Sequence, residues 1–294
     1  MNRIAYPLAT SLLFSGSYVA GKYTTLDLGP LTTTAARYVV ALAFLLTLGL
    51  HQGRDGFRIR RRDLGAFALL GLSGIVGYHY FFFMSLRYTE VANTAIINAL
   101  SPVVTGLAAA AFIGERLSAR NITGVVLACA GVILLLTRAK LSALSGLAVN
   151  VGDLYMLMAV VCWTVYALIV KTLIDRYSGF TLTFYATTFG VAALVFIVPV
   201  EDPVSQLREI SAQSVFSILY MGIGGSGAGY LLYNLSIREL GPTRTASLVY
   251  SLVAILVAIL AFMIFGESIT VVMVASTGMV LVALHLMLAQ RQPA

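Results

Sequence analysis

Residues 78–105 have the sequence YHYFFFMSLRYTEVANTAIINALSPVVT, in which polar groups interrupt two apolar segments at regular positions. The second segment carries polar side chains at spacings of four, three and four, namely Thr94, Asn98, Ser101 and Thr105. In a helix these spacings place all four side chains on one face. A polar face cannot contact lipid, because the bilayer core offers it no hydrogen-bonding partners. The two segments are therefore predicted to line a watery cavity within a membrane.

The composition supports a membrane protein. The 294-residue chain is 59% hydrophobic and 11% charged, whereas a soluble domain has about 25% charged residues. The net charge of +7 does not indicate a nucleic-acid partner, because the basic residues lie between apolar segments and form no basic-aromatic patch. Both cysteines, Cys129 and Cys162, lie within apolar segments. We therefore expect no disulfide framework, no metal site and no cofactor.

Hydropathy predicts an all-α membrane protein with ten transmembrane helices. A spanning helix needs about 20 mainly apolar residues, and ten segments qualify: 4–24, 30–51, 63–86, 91–114, 118–137, 152–172, 180–200, 213–237, 243–265 and 269–289. The connections between them are too short for a soluble domain. When the N-terminus is placed in the cytoplasm, thirteen of the nineteen basic residues fall on the inner side and five on the outer side. This asymmetry predicts that both termini are cytoplasmic.

The two halves of the chain resemble each other. Three matches recur at offsets of 149 to 152 residues: Phe14 and Lys22 with Trp163 and Lys171, SLRYTEVANTA (85–95) with SIRELGPTRTA (236–246), and GER (114–116) with GES (266–268). We interpret residues 1–140 and 141–294 as two copies of a five-helix unit. Five is odd, so the second copy enters the membrane inverted relative to the first. Inverted repeats around a central cavity are typical of secondary carriers that use alternating access.

This arrangement resembles the EamA-type drug/metabolite transporters. The features that carry the resemblance are the two five-helix units, a basic residue near the end of each first helix, and the proline-bearing fourth helix Leu100-Ser101-Pro102-Val103 that ends in Gly114-Glu115. The second copy keeps Gly266-Glu267 but has Leu252-Val253 where Ser101-Pro102 would align. The chain length and the pattern of Tyr78-His79 with Trp163 are similar to the aromatic amino-acid exporter branch, the YddG type.

The resemblance implies a bacterial inner-membrane exporter or facilitator of amino acids, including aromatic ones, and related small metabolites. The alternative is a multidrug or other small-metabolite exporter coupled to protons. All twelve acidic residues lie at predicted helix ends or in loops, and His79 is the one titrating group near a helix centre. Proton-coupled carriers usually hold a carboxylate in the pathway, so we favour a facilitator. We also expect a monomer that is surrounded by the lipid bilayer.

Several side chains are candidates for the substrate site. Tyr78, His79 and Phe82 offer an aromatic surface with polar groups, although helix packing explains the same pattern. Asn98 and Ser101 bind either a ligand or a neighbouring helix, and Pro102 removes the hydrogen bond to the carbonyl of Asn98. The remaining candidates are pairs that share a helix face, namely Trp163 with Tyr166 in the sixth segment and Ser247 with Ser251 in the ninth.

Other features have structural interpretations. Arg37 lies inside the second segment and must reach the interface or pair with a carboxylate, either from a substrate or from an acid such as Asp27. The glycines of GIGGSGAGY (222–230) and their counterparts Gly71, Gly74 and Gly77 predict close helix packing that permits rocking. No Gly-x-Ser-x-Gly motif, HExxH motif or paired mid-helix acid is present in the sequence, so an enzyme is not predicted. A channel would show rings of like residues, which the sequence lacks.

Overall fold

A computed structural model describes residues 5–52, 57–113, 119–137, 150–240 and 242–288, and all regular structure within these residues is helical. The α-helices, numbered in chain order, are α1 (Ala5–Asp27), α2 (Pro30–Gln52), α3 (Leu64–Leu70), α4 (Tyr78–Tyr88), α5 (Val91–Asn98), α6 (Ser101–Ile113), α7 (Ala119–Leu136), α8 (Val151–Leu173), α9 (Gly179–Ile197), α10 (Pro203–Arg208), α11 (Ala212–Leu219), α12 (Tyr230–Leu240), α13 (Pro242–Phe265) and α14 (Val271–Leu288). The predicted all-α class is confirmed.

Single helices or runs of consecutive helices form stretches with the length and composition of membrane spans. Among the described residues, eight helical stretches are long and apolar enough to cross a bilayer, and Val271–Leu286 is a shorter apolar helix. Helix α1 has 23 residues but is not among the eight. Its hydroxyl side chains, including Thr10, Ser11 and Ser15, are buried against other helices. Large apolar side chains such as Phe112 and Phe196, 82% and 85% exposed, lie on the outer surface, where lipid would cover them.

Helices from the two parts of the chain pack against each other rather than within separate cores. Helix α1 contacts α11, α12 and α13, helix α4 contacts α8, and α7 lies along α14. One large apolar cluster accordingly includes residues from Tyr18 near the start of the chain to Leu284 near its end. The boundary predicted at residues 140 and 141 lies outside the described residues, as does Gly114-Glu115.

Two π-helices interrupt the spans at the glycine-rich stretches. They cover Gly71–Gly77, between α3 and α4, and Tyr220–Gly229, between α11 and α12. A Cβ added to Gly71 would lie 2.5 Å from the backbone nitrogen of Gly190, so the predicted close packing is present there. Such widened turns are common at functional sites. Each one ends directly before a tyrosine, Tyr78 or Tyr230.

The fourth span breaks where proline predicts a kink. Helix α5 ends at Asn98, a turn covers Ala99 and Leu100, and α6 begins at Ser101. Pro102 has no N–H to donate one turn back, which explains why the helix is interrupted at this point. The interruption places Asn98 and Ser101 at the centre of the protein, where both side chains are only 1% exposed.

Gly266 ends α13 in a conformation that explains the Gly-Glu sequence. Its φ of 66° lies in the left-handed region, and a Cβ there would meet no atom within 4 Å. The turn directs Glu267 toward the start of α5, where its carboxylate accepts hydrogen bonds from the backbone N–H groups of Val91 and Ala92 at 2.9 and 3.1 Å. A carboxylate at this place satisfies unpaired amides and interacts favourably with the helix dipole.

We expect Gly266→Ala to lower the free energy of unfolding by about 1–2 kcal/mol, the cost of a left-handed conformation for a residue with a side chain. Gly278→Ala is the matched control, because Gly278 is helical and its Cβ would also meet nothing within 4 Å. That change should raise stability by roughly 0.5–1 kcal/mol through helix propensity. Unfolding of both variants in detergent measures the difference, and equal effects would contradict the role of the left-handed turn.

Candidate functional site

A small inner cavity lies at the centre of the molecule. Its volume is about 30 Å³, enough for one water molecule. Most of its wall is aromatic, and Arg37 is the charged group among the described residues that line it. The lining residues are Phe14, Ser17, Tyr18, Arg37, Tyr78, His79, Phe82, Asn98, Trp163, Tyr230, Tyr250 and Val253. The cavity therefore joins side chains from both parts of the chain.

The amide of Asn98 connects three segments at the cavity wall. Its Nδ2 donates to the hydroxyls of Tyr18 and Tyr78 at 2.6 and 3.0 Å, and its Oδ1 accepts from the Ser101 hydroxyl at 2.9 Å. A buried amide needs such partners, because an unpaired one would be costly. Asn98 thus fixes two phenol rings at the cavity wall. The sequence leaves a ligand contact and a contact with a neighbouring helix open for Asn98, and these hydrogen bonds are of the second kind.

His79 is held by the π-helix that precedes it. Its Nδ1 lies 3.1 Å from the carbonyl oxygens of both Gly74 and Ile75, and the Tyr38 hydroxyl lies 3.3 Å from Nε2 and 3.4 Å from Nδ1. A carbonyl oxygen only accepts, so Nδ1 carries a hydrogen. In the neutral ring, Nε2 is then the acceptor for the Tyr38 hydroxyl. The ring is positioned through both nitrogens and is 3% exposed.

Trp163 separates the inner cavity from a second one. Its ring lies 5.0–6.3 Å from five neighbouring rings, those of Tyr78, Tyr166, Tyr230, Tyr233 and Tyr250. The side chain lines both cavities and is 2% exposed. The hydroxyls of Tyr166 and Tyr230 are buried without a hydrogen-bond partner within the described part of the chain. Such groups are rare in proteins unless a ligand, ion or water completes them.

The second cavity, which we call the vestibule, has a volume of about 270 Å³. It begins at Trp163 and extends along α6, α8 and α12 to Lys171 and to Asp175, which is exposed. The other lining residues are Ser101, Pro102, Thr105, Gly106, Ala109, Tyr166, Ala167, Leu168, Val170, Ile174, Tyr233, Ile237 and Ala246. This end of the molecule, marked by Lys171 and Asp175, is the open end.

Polar contacts join the helices at the opposite end, which we call the closed end. Lys22 donates to the carbonyls of Leu86 and Thr89 at 2.5 and 3.2 Å, and Thr89 donates to Asp153 at 2.7 Å. The carboxylate of Glu267 accepts hydrogen bonds from the two backbone amides at the start of α5. These bonds link α1, α4, α5 and α8 with the segment after α13. Charge-assisted bonds of this kind are among the stronger ones in proteins.

Further contacts connect the two parts of the chain at each end. At the open end, Asp63 accepts from Arg176 at 2.9 Å and from the Tyr177 hydroxyl at 2.6 Å. At the closed end, Asp27 accepts from the backbone N–H of Ser211 at 3.1 Å and from its hydroxyl. In both cases the start of one span contacts the end of another, because Asp63 meets residues after α8 and Ser211 meets the last residue of α1.

The structure brings together most of the predicted site residues. Tyr78, His79, Phe82, Asn98 and Trp163 line the inner cavity, and Ser101, Trp163 and Tyr166 line the vestibule. Their role in binding a substrate stays a prediction.

Ser247 and Ser251 line neither cavity, and it is Tyr250 of the same helix that reaches the inner one. Sequence reasoning missed Tyr230 and Tyr233. Tyr230 has a signal in the repeat, because it lies 152 residues after Tyr78 and, like Tyr78, directly follows a glycine-rich stretch.

Comparison with known proteins identifies the family. The EamA-like transporter family matches residues 3–137 and 150–289. The chain belongs to this family. It is therefore a multi-pass membrane transporter, as the resemblance implied. A solved crystal structure is similar over 97% of this chain and 96% of that one, with a TM-score of 0.66 and 20% sequence identity, which supports the same fold.

Individual relatives of this EamA-family chain are distant. The uncharacterized transporter YyaM of Bacillus subtilis (strain 168) is 27% identical over 283 residues, 96% of this chain and 91% of that protein. The aromatic amino acid exporter YddG of Ancylobacter novellus is 24% identical and aligns over 85% of this chain and 86% of its own length. A probable terminal-alkyne amino-acid exporter of Streptantibioticus cattleyicolor is 26% identical, over 71% and 68% of the two chains.

Proposed function

We propose that this EamA-family transporter moves amino acids, including aromatic ones, and related small metabolites across the bacterial inner membrane by alternating access. The observation that carries the proposal is the pair of neighbouring cavities that share Trp163, one lined by buried side chains at the centre and one that extends to the exposed Asp175 at the open end. Aromatic rings suit the apolar part of such a substrate, and hydroxyl and amide groups suit its polar part. The names of two relatives as amino-acid exporters agree with this choice.

We further propose ten transmembrane helices in two inverted repeats. Equivalent hydrogen bonds support the repeat: Ser85 bonds Thr94 at 2.9 Å, and Ser236 bonds Thr245 at 3.1 Å. The two pairs are 151 residues apart, which is the offset found in the sequence. The contacts of Phe14 with Tyr230 and of Trp163 with Tyr78, at 5.8 and 5.1 Å, are equivalent in the same way. The repeated family match over residues 3–137 and 150–289 also agrees with the duplication.

We propose that the open end and both termini face the cytoplasm, because thirteen of the nineteen basic residues fall on that side in the predicted topology. The structure would then correspond to a carrier that is open to the cytoplasm and closed to the outside. A single chain lines both cavities, so we propose that the monomer is the transporting unit. Within the described residues the inner cavity has no carboxylate, and His79 is held through both ring nitrogens. These features favour a facilitator over an obligate proton antiporter.

Counterflow in proteoliposomes tests the proposal. We expect labelled L-phenylalanine or L-tryptophan to enter faster when the liposomes are preloaded with the unlabelled amino acid. In a carrier the binding site returns to the outer side faster when it carries substrate than when it is empty. The rate should not depend on an imposed pH gradient. Preloading without effect would indicate a channel. Exchange that requires the gradient would support the proton-coupled alternative, and no exchange of any amino acid in the panel would contradict the proposed substrate class.

A further inference from the structure

Arg37 is a buried charge at the wall of the inner cavity. Its Nε donates to the Ser226 hydroxyl at 2.9 Å, and its guanidinium lies 5.4 Å from the ring of Tyr38 and 5.7 Å from the ring of Phe83. Ser226 is near the middle of the long span Ala212–Leu240. The side chain is 3% exposed and does not extend to the membrane surface. Of the two expectations from the sequence, the one that Arg37 reaches the interface is therefore wrong.

Arg37 also lacks the acidic partner that the sequence suggested. Asp27 contacts Ser211 instead, and across the described ranges no carboxylate lies within ion-pair distance of the guanidinium. Its Nη groups have no hydrogen-bond acceptor among the same residues. A guanidinium keeps its positive charge in proteins. An unpaired charge at this depth is costly, and such residues usually mark a functional site.

The second π-helix makes room for this group. The ideal Cβ position at Gly225 is 3.2 Å from Nη2 of Arg37 and 2.3 Å from the Ser17 hydroxyl oxygen. A side chain at position 225 would therefore compete with both polar groups for the same space. Ser226, the next residue, supplies the hydrogen bond that orients the guanidinium within the described ranges. The glycine-rich stretch thus holds a cation against the cavity without neutralising it.

We propose that Arg37 binds the carboxylate of the transported solute, so that the protein selects amino acids and related carboxylates over amines and amides. This inference rests on the proposed function and names its substrate class. The two free nitrogens of the guanidinium match the two oxygens of a carboxylate. The inner cavity holds about one water molecule in this structure, so we place the bound solute in a state in which Trp163 has moved and the two cavities have joined. There the substrate completes the missing ion pair, while the rings of Tyr78, Trp163 and Tyr230 contact its apolar part.

Binding to the purified full-length protein tests the assignment. We expect L-phenylalanine to bind the wild-type protein about 10- to 100-fold more tightly than L-phenylalaninamide, which lacks the carboxylate. Arg37→Gln should abolish this preference, because it weakens the binding of L-phenylalanine and leaves the binding of the amide unchanged. Arg37→Lys should keep part of the preference. Arg238→Gln is the matched control, since Arg238 is exposed at the end of α12. A preference that survives in Arg37→Gln would overturn the proposal.

A stability measurement separates this role from a structural one. Because the unpaired charge is costly when no substrate is present, Arg37→Met should unfold at a higher temperature than the wild-type protein in detergent. A lower unfolding temperature would assign Arg37 a structural role and overturn the proposal. The two hypotheses also fail differently. A wild-type protein without counterflow contradicts the proposed transport, whereas counterflow by Arg37→Gln that still prefers carboxylates contradicts only the role of Arg37.

Discussion

Trp163→Ala is expected to reduce amino-acid counterflow by about 100-fold. Pairs of aromatic rings contribute roughly 0.5–1.5 kcal/mol each, and Trp163 contacts five rings at the junction of the two cavities. Truncation would remove the side chain that separates the inner cavity from the vestibule. It would also remove the ring that we expect to contact the substrate. Truncation of a tryptophan at the centre of a binding site typically costs about 2–4 kcal/mol of binding free energy, and about 3 kcal/mol corresponds to about 100-fold in affinity.

Folding must be separated from transport in this test, because truncating a buried tryptophan costs about 3–5 kcal/mol of stability. Trp163→Phe retains a ring and should remain within about 10-fold of wild-type counterflow. Phe196→Ala is the control for truncation of a large aromatic, since Phe196 is 85% exposed on the outer surface. Size-exclusion chromatography confirms which variants fold. A folded Trp163→Ala protein with unchanged counterflow would remove Trp163 from the site.

Glu267→Ala is expected to open the closed end. The change leaves the amides of Val91 and Ala92 without an acceptor, which costs about 2–3 kcal/mol for a charge-assisted contact. When these bonds are present only while the closed end is sealed, their loss lowers the ratio of sealed to unsealed protein by roughly 30- to 150-fold. Glu267→Gln keeps an acceptor oxygen and should have a smaller effect.

Thiol labelling measures this change. In a protein with Cys129 and Cys162 replaced by alanine, a cysteine introduced at Ser17 lies at the inner cavity. A membrane-impermeant thiol reagent added from outside should react with it much faster in Glu267→Ala than in the wild-type background. Glu209→Ala is the control, because Glu209 is exposed. Equal labelling rates in the two backgrounds would show that Glu267 does not hold the closed end.

Part of this structure could be predicted because its signals are local. Apolar stretches of spanning length located the helices, and Pro102 located the break between α5 and α6. Polar and aromatic groups within apolar segments identified Tyr78, Asn98 and Trp163, because a polar group that cannot contact lipid must face the protein interior. The same reasoning did not separate a ligand contact from a helix contact at Asn98, because both need the same inward orientation.

The remainder depends on contacts between distant segments. The surroundings of Arg37 could not be predicted because its space is created by Gly225, which lies on another helix. Ser247 and Ser251 were assigned to the site from a shared helix face. Ser247 is buried and Ser251 is half-buried, but neither lines a cavity, because an inward position does not specify which neighbour the side chain meets. The role of Glu267 was hidden for a similar reason. Its sequence motif was visible, while its partners, Val91 and Ala92, are about 175 residues away.

The cap that Glu267 places on α5 has a consequence for biogenesis. During synthesis, Val91 and Ala92 leave the ribosome long before the residue that satisfies their amides. These two amides therefore lack their native acceptor until α13, which ends shortly before Glu267, has been inserted. A chain truncated before residue 267 would lack this acceptor, so we expect α5 to begin with two unsatisfied amides in such a chain.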